Sequence, residues 1–268
     1  MMFSSDLDGT LIYSHRSLSR GQQDVPVRNI ERYNGREITF MTEKAIALLK
    51  ELSEEMMFVP VTTRTVEQYN RISLFWEEIR PAYAITCNGG VVLKDGEVDL
   101  YWQDHISAKI DRSTISVEDV KRRIEETSDE SWLESIRVVD RFFVYLIIKP
   151  ELAPVERLDD YSEWATKHGW VFSLQGRRVY FIPTFINKWD AVRYLAIKEG
   201  KKTVFTAGDS HLDVCLIEQS QFGLIPRHGE AAANYGHLGL TQKEGILAAE
   251  EIIETMLSKR LESDFNLR

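Results

Sequence analysis

Phe3-Ser4-Ser5-Asp6-Leu7-Asp8-Gly9-Thr10 takes a short strand-prone stretch straight into two carboxylates and a glycine. On an extended strand residues i and i+2 point the same way, so Asp6 and Asp8 would present both carboxylates on one side as the chain leaves a sheet. Gly9 then allows a sharp turn. In open α/β sheets ligands bind beyond the carboxyl ends of the strands, which is where this pair falls. A calcium loop of the EF-hand kind starting at Asp6 would need Gly at its sixth position and Glu at its twelfth. The chain has Leu11 and Ser17 there, so that reading fails.

Outward from this stretch, Thr42 to Glu55 sets Ala45, Leu48, Leu49 and Leu52 at helical spacing behind a threonine able to cap the helix. Met56–Val61 reads as a strand, Thr65–Ile79 as a second helix with Val66, Tyr69, Ile72, Trp76 and Ile79 on one stripe, and Tyr83–Thr86 as a third strand. Strands alternating with helices predict an α/β fold with a parallel sheet. From about residue 90 the pattern changes. Val91–Leu93 and Glu97–Trp102 flank a Lys94-Asp95-Gly96 turn, a helix follows near 116–126, a strand-rich run spans Ile136–Ile148, a helix runs from Pro154 to His168, and Trp170–Leu174 pairs with Arg177–Ile182 across Gln175-Gly176. After Pro183 the alternation resumes, with a helix at 188–199, strands at 203–207 and 222–225, a helix after Ser210 and one at 244–257. The expected organisation is a discontinuous α/β core, 1–89 with 183–268, carrying an inserted α+β domain at 90–182.

Composition limits the classes of function. The 268 residues include 43% hydrophobic and 28% charged positions, with 42 acidic against 33 basic side chains and a net charge of -9. Such an acidic balance disfavours a general nucleic-acid binder, which needs clustered Lys and Arg. The longest strongly apolar run, Phe142–Ile148, is far short of the roughly 20 residues of a membrane span. The N-terminus lacks a basic segment followed by an apolar one, so a cytoplasmic location is expected. Two cysteines, Cys87 and Cys215, suggest neither a disulfide framework nor a zinc site.

Three further strings sit at expected strand or helix ends. Val61-Thr62-Thr63-Arg64 could offer a hydroxyl to an anion or simply cap the next helix. Asn187-Lys188 starts a helix, where the helix dipole does not favour a cation; Lys188 is either solvated or there for another reason. Phe205-Thr206-Ala207-Gly208-Asp209-Ser210-His211-Leu212-Asp213 carries an apolar strand into two carboxylates. It is not a serine-hydrolase elbow, since Gly-x-Ser-x-Gly would need Gly at Leu212. If these strands are neighbours, Asp6, Asp8, Asp209 and Asp213 crowd one cleft, and so many like charges call for a cation. All-oxygen ligands suit Mg²⁺.

The order Asp-x-Asp-Gly-Thr, Thr-x-Arg, Asn-Lys and Gly-Asp-Ser-x-x-Asp resembles the haloacid dehalogenase (HAD) superfamily of phosphatases, in particular its Cof-type members with a type IIB cap between the second and third motifs. Ile85-Thr86-Cys87-Asn88-Gly89-Gly90 is similar to that family's segment entering the cap, and Lys243-Glu244-Gly245-Ile246 to its C-terminal turn. The resemblance spans nearly the whole chain. It implies a HAD-like Rossmannoid core and a hydrolase of small phosphorylated metabolites, often sugar phosphates, with sucrose-phosphate phosphatases among the relatives. Pro60-Val61-Thr62-Thr63-Arg64-Thr65 also looks like phosphatase-like proteins of tellurium-resistance or stress clusters.

Carried over by the resemblance, Asp6 would be the nucleophile that becomes an aspartyl-phosphate, and Asp8 the acid and base. Thr62 and Lys188 would hold the phosphoryl oxygens. Mg²⁺ would bind Asp6, the Asp8 carbonyl and Asp209, with Asp213 ordering its waters. Thr63 and Asn88 would border the substrate. Arg177, Arg178 and Tyr180, on the last hairpin of the insert, are candidates for selecting the leaving group. Thr63 and Leu212 depart from the family's usual Gly and Asn. Pro226-Arg227-His228-Gly229 also departs from its pattern, leaving Arg227 and His228 as ligand contacts or surface residues. Tyr13–Phe40 is longer than the common connection, a flap or a tolerated loop. The same motifs would serve a phosphomutase, and the fold alone a phospho-ligand sensor. No nucleic-acid or membrane partner is expected, and the oligomeric state stays open.

Overall fold

The computed structural model describes residues 1–18 and 25–265. The chain divides into two compact units, Met1–Asp99 with Lys188–Arg268, and Leu100–Asn187.

The first unit is built on a parallel sheet ordered Phe222–Leu224, Val204–Ala207, Met2–Ser5, Met57–Pro60. The strand Met2–Ser5 is buried along its whole length, as parallel strands covered on both faces are. It lies between a strand from the first part of the chain and one from the last, so the outer segments share one sheet. Val61 bridges Ile85 in parallel and leads the sheet toward Tyr83–Thr86. The helix Glu43–Glu55 begins where the Thr42 hydroxyl accepts from Ala45 N at 2.9 Å. It buries Ala45, Ile46, Leu49 and Leu52 in a core that also holds Phe3, Phe58, Ile252, Ile253 and Met256. The α/β architecture is the one expected.

Several local expectations give way. The single helix over Thr65–Ile79 is instead two turns, Val66–Tyr69 and Leu74–Glu77. Between them Ile72 bridges Glu31, and Ser73 N donates to Ile30 O at 2.9 Å, so this backbone is spent on a neighbouring strand instead of on helix. That strand belongs to the Tyr13–Phe40 segment, which forms an antiparallel sheet of Tyr13–Ser14, Arg36–Thr42 and Val27–Tyr33 where a loop or flap was expected. Its hairpin turns at Asn34-Gly35, both with positive φ (50° and 74°), the conformation that a tight two-residue hairpin demands. Residues 19–24 of the segment lie outside the described residues.

The hairpin Val91–Lys94 with Glu97–Val98 does not open the insert at residue 90. It pairs with Tyr83–Thr86 and belongs to the first unit, which continues to Asp99. Where a strand to Trp102 was expected, the helix Leu100–Asp111 starts, burying Trp102 and Ile106 one turn apart. The second unit then runs to Asn187 and not to 182.

This unit is an antiparallel sheet ordered Trp170–Gln175, Arg178–Pro183, Phe143–Ile148, Leu133–Val139. Val144, Leu146 and Ile148, with Val179 and Phe181, alternate onto one face and form a core with Val117, Val120, Ile124, Trp132 and Tyr161. The helices Val117–Thr127 and Val155–Lys167 supply the cover, the former held by a Ser116–Asp119 capping box. No helix among the described residues is long and apolar enough to cross a membrane.

Phe3 is fully buried and stacks on Phe58 with ring centroids 5.9 Å apart. Phe3→Ala is expected to cost about 3–5 kcal/mol in urea unfolding. Val98→Ala, on an exposed strand end, should change stability by no more than about 0.5 kcal/mol.

Candidate active site

The strand ends assemble the site. Asp6 N makes the next bond of the sheet, to Ala207 O at 2.9 Å, while Ser5 O accepts from Val61 N at 2.8 Å. Asp6, Thr62 and Asp209 therefore emerge from adjacent strands. After Asp6 the chain closes a tight loop in which Thr10, Leu11 and Ile12 all donate to Leu7 O, at 3.1, 2.9 and 2.9 Å. Gly9 has a φ of 84°, and a Cβ there would lie 2.4 Å from Asp209 Oδ2. A Cβ at Gly208 would strike the Asp213 Cβ at 2.2 Å. Both glycines leave room for carboxylates, which is why no other residue fits.

Lys188 is the first residue of the helix Lys188–Lys198 and is 1% exposed. Its Nζ donates to Asp6 Oδ1 at 2.6 Å and to Asp213 Oδ1 at 2.5 Å. Asp213 Oδ2 in turn accepts from Ser210 N at 3.0 Å and Ser210 Oγ at 2.7 Å. A cation at a helix start opposes the helix dipole; two buried carboxylates hold it there. Asp6, Asp209 and Asp213 each bring an oxygen within 4.8 Å of the other two.

This crowding disturbs the acidities of Asp6 and Asp209. Burial pushes Asp6 up to about 7, with Lys188 opposing and Asp213 and Asp8 adding to the rise. Burial, then Asp6 and Asp213, raise Asp209 well above the ordinary carboxylate range. The neighbouring Tyr13 hydroxyl is raised by burial and by Asp209, and donates to Thr10 O at 3.0 Å. Three carboxylates against one ammonium leave the charge deficit that one divalent cation would fill. The donors are all hard oxygens, so the residues present fit Mg²⁺.

Thr62 is fully buried. Its hydroxyl accepts from Arg64 N at 3.1 Å, and its carbonyl accepts from Asn88 N at 2.9 Å. Cys87 N donates to Arg64 O at 2.8 Å, so the loops after the second and third core strands are tied together. Cys87 and Asn88 both adopt left-handed conformations, φ 51° and 58°, a strain found where neighbours over-determine the backbone. Thr63 is half-buried beside them.

Asp8 does not join the carboxylate cluster. It is exposed, and its two oxygens accept from Arg64 Nε at 2.6 Å and Nη2 at 2.7 Å. Arg64 Nη1 donates to Glu31 Oε2 at 2.8 Å. Asp8 and Glu31 hold the guanidinium charged although its burial works against that. Sequence reasoning misses the pairing of Arg64 with Glu31: Arg64 is only a letter of the second motif, and Glu31 lies in the stretch that reads as loop or flap.

His228 clasps backbone. Its Nδ1 accepts from Gly245 N at 3.0 Å, leaving Nε2–H to donate to Gly9 O at 2.9 Å. Arg227 Nε donates to Thr241 O at 3.1 Å. Leu212 is buried. Arg177 and Arg178 are exposed residues of the second unit, and Arg177 pairs with Glu134 at 2.5 Å. Tyr180 is buried against Tyr145, with centroids 5.6 Å apart.

Solved structures share this architecture. A sucrose-phosphatase from a Synechocystis species, solved with sucrose and phosphate, superposes with a TM-score of 0.67 at 18% identity, over 95% of this chain and 97% of that one. A sugar phosphatase of HAD subclass IIB gives 0.64 at 12% identity, over 97% and 99%. A protein from Thermoplasma acidophilum gives 0.61 at 14%, over 95% and 96%. At these identities the likeness is one of fold. No curated protein sequence matches the chain. The model of the sucrose-6F-phosphate phosphohydrolase family, however, matches residues 1–254. The chain therefore belongs to the sucrose-6F-phosphate phosphohydrolase family and is a phosphatase with the fold of the HAD superfamily.

Proposed function

We propose that the protein is a Mg²⁺-dependent phosphomonoesterase acting on a small phosphorylated metabolite, a sugar phosphate, in the cytoplasm, through an aspartyl-phosphate on Asp6. The observation that carries this reading is the buried Lys188 ammonium, 2.6 Å from Asp6 and 2.5 Å from Asp213. An ammonium kept at that depth beside a carboxylate cluster suits a site that must receive a dianion next to a nucleophile. The family to which the chain belongs, and the sugar and phosphate found with the Synechocystis structure, favour a sugar phosphate.

On this reading an Asp6 oxygen attacks phosphorus in line, forming a P–O bond as the bond to the ester oxygen breaks. Asp8 gives its proton to the departing alkoxide. It then takes a proton from the water that attacks the aspartyl-phosphate, so that inorganic phosphate leaves and Asp6 is restored. Lys188 and the Thr62 hydroxyl hold the transferring oxygens, where positioning and charge compensation do most of the work. Asp6, Asp209 and the Asp8 carbonyl would hold Mg²⁺, with Asp213 ordering its waters, and the ion would supply further neutralisation of that charge. Thr63 and Asn88 border the phosphate, and the inserted unit, with Arg178 exposed on its sheet, corresponds to the type IIB cap.

A panel of phosphate esters with Mg²⁺ present tests the reading. Release of inorganic phosphate is expected, and its loss by about 10⁴-fold or more in Asp6→Asn, with the melting temperature retained. No phosphate from any ester of the panel would overturn it.

The acidity of Asp6 gives a second expectation. A carboxyl raised to about 7 in the folded chain from 3.8 stabilises the fold below pH 4 and withdraws that stability as pH rises through 7. Chelated protein should thus lose stability over this window, while added Mg²⁺, competing with the proton, should restore it. The gain in melting temperature on adding Mg²⁺ is expected to grow from pH 5 to pH 8. A gain that is flat or falling would contradict the arrangement.

A further inference from the structure

Glu31 is a buried acid with no part in the phosphoryl transfer just described. It is 3% exposed and belongs to the strand Val27–Tyr33, whose pairing with Arg36–Thr42 shifts register between Asn29 and Glu31. Such bulges re-aim side chains next to active sites. This one is pinned: Asn29 Nδ2 donates to Glu31 O at 2.9 Å and Thr39 O at 3.0 Å, and Ser73 donates to Ile30 O through both N and Oγ, at 2.9 and 3.2 Å. The re-aimed Glu31 Oε2 accepts from Thr39 Oγ1 at 3.1 Å and from Arg64 Nη1 at 2.8 Å.

All three nitrogens of the guanidinium are committed. Nε and Nη2 grip the two oxygens of Asp8, and Nη1 is held by Glu31, with the Gln68 carbonyl at 3.5 Å. The Arg64 side chain is 12% exposed while that of Asp8 is half open to solvent. The anchored partner is therefore Arg64, and Asp8 is the member with room to move. A buried ion pair adds little stability over an apolar replacement, so burying a carboxylate on a bulge calls for another role.

We propose that Glu31 is a positioning residue: it fixes the Arg64 guanidinium, which sets where the Asp8 carboxyl waits for the leaving group. The inference rests on the reading of Asp8 as the acid and base. Glu31 touches neither substrate nor the reacting atoms and acts only through Arg64. The auxiliary sheet of Tyr13–Ser14, Val27–Tyr33 and Arg36–Thr42 thereby has a part in positioning Asp8, since it delivers this carboxylate.

The test uses leaving-group dependence, because kcat/KM reports the steps up to departure of the ester oxygen. A sugar alkoxide needs a proton to leave, phenolate needs one less, and 4-nitrophenolate hardly at all. Glu31→Gln is compared with wild type on the sugar phosphate cleaved best in the panel, phenyl phosphate and 4-nitrophenyl phosphate, with Asp8→Asn as reference. General acids contribute about 10²–10⁴-fold. A displaced but intact acid should lose part of that: Glu31→Gln is expected to lower kcat/KM by about 10-fold or more on the sugar phosphate and by less than about 3-fold on the nitrophenyl ester. Thr39→Val, which removes the hydroxyl holding Glu31, should shift the ratio in the same direction and serves if Glu31→Gln does not fold. Equal losses on all esters in the folded variants would overturn the role of Glu31 while leaving Asp8 intact, provided Asp8→Asn shows the steep dependence. If Asp8→Asn is itself flat, the reading of Asp8 fails and the inference with it.

Discussion

The ammonium of Lys188 is the point on which the site depends. It joins Asp6, just past the strand Met2–Ser5, to Asp213, from a turn more than two hundred residues later. Taking three charges out of water is costly, and their mutual attraction does not make such clusters a good source of stability. The parallel sheet provides the compensation: with Met2–Ser5 and Val204–Ala207 in register, the loops beyond them are committed to one place, and the Lys188 helix has its first residue delivered between them. The cluster is thus held by the sheet, and it keeps an excess of negative charge that suits a divalent cation.

The small residues carry the imprint of this crowding at the sheet's edge. Gly9 and Gly208 are needed because carboxylates occupy the space where their side chains would be. His228 spans Gly9 O and Gly245 N and thereby braces the Asp6–Ile12 loop from a segment more than two hundred residues later. The positive φ values at Cys87 and Asn88 belong to the same economy of space, since those residues bond back to the Thr62–Arg64 loop.

Much of the fold could be read from periodicity, because Ala45, Leu49 and Leu52 or Val144, Leu146 and Ile148 carry a pattern that burial alone imposes. The carboxylates were legible for a different reason: Asp6 and Asp209 follow closely on apolar strands, with Asp213 one short turn further on, and strand ends are where a parallel sheet exposes chemistry. Other features were hidden by tertiary demands. The Thr65–Ile79 stripe reads as one helix until the edge of the auxiliary strand takes the backbone of Ile72 and Ser73. That strand pair carried its own signal in Asn34-Gly35, a hairpin turn set between β-prone residues, but the polar stretch around it masked the pattern. The partnership of Asp8 with Arg64 had no sequence signal, since nothing in local spacing tells a carboxylate which of two neighbours to face.

The strand order also has a consequence for the chain as it is made. Met2–Ser5 can pair with Met57–Pro60 early, but its other edge waits for Val204–Ala207. At 5–20 residues per second of synthesis, that edge stays open for roughly 10–40 seconds. During that interval the apolar first strand has half its ladder, and Asp6 has neither Lys188 nor Asp213 beside it. The Leu100–Asn187 unit, with its strands and helices contiguous in sequence, is complete before the later core strands emerge. Asp6 is thus translated well ahead of Lys188 and Asp213, and its surroundings are completed only when those later segments have been made.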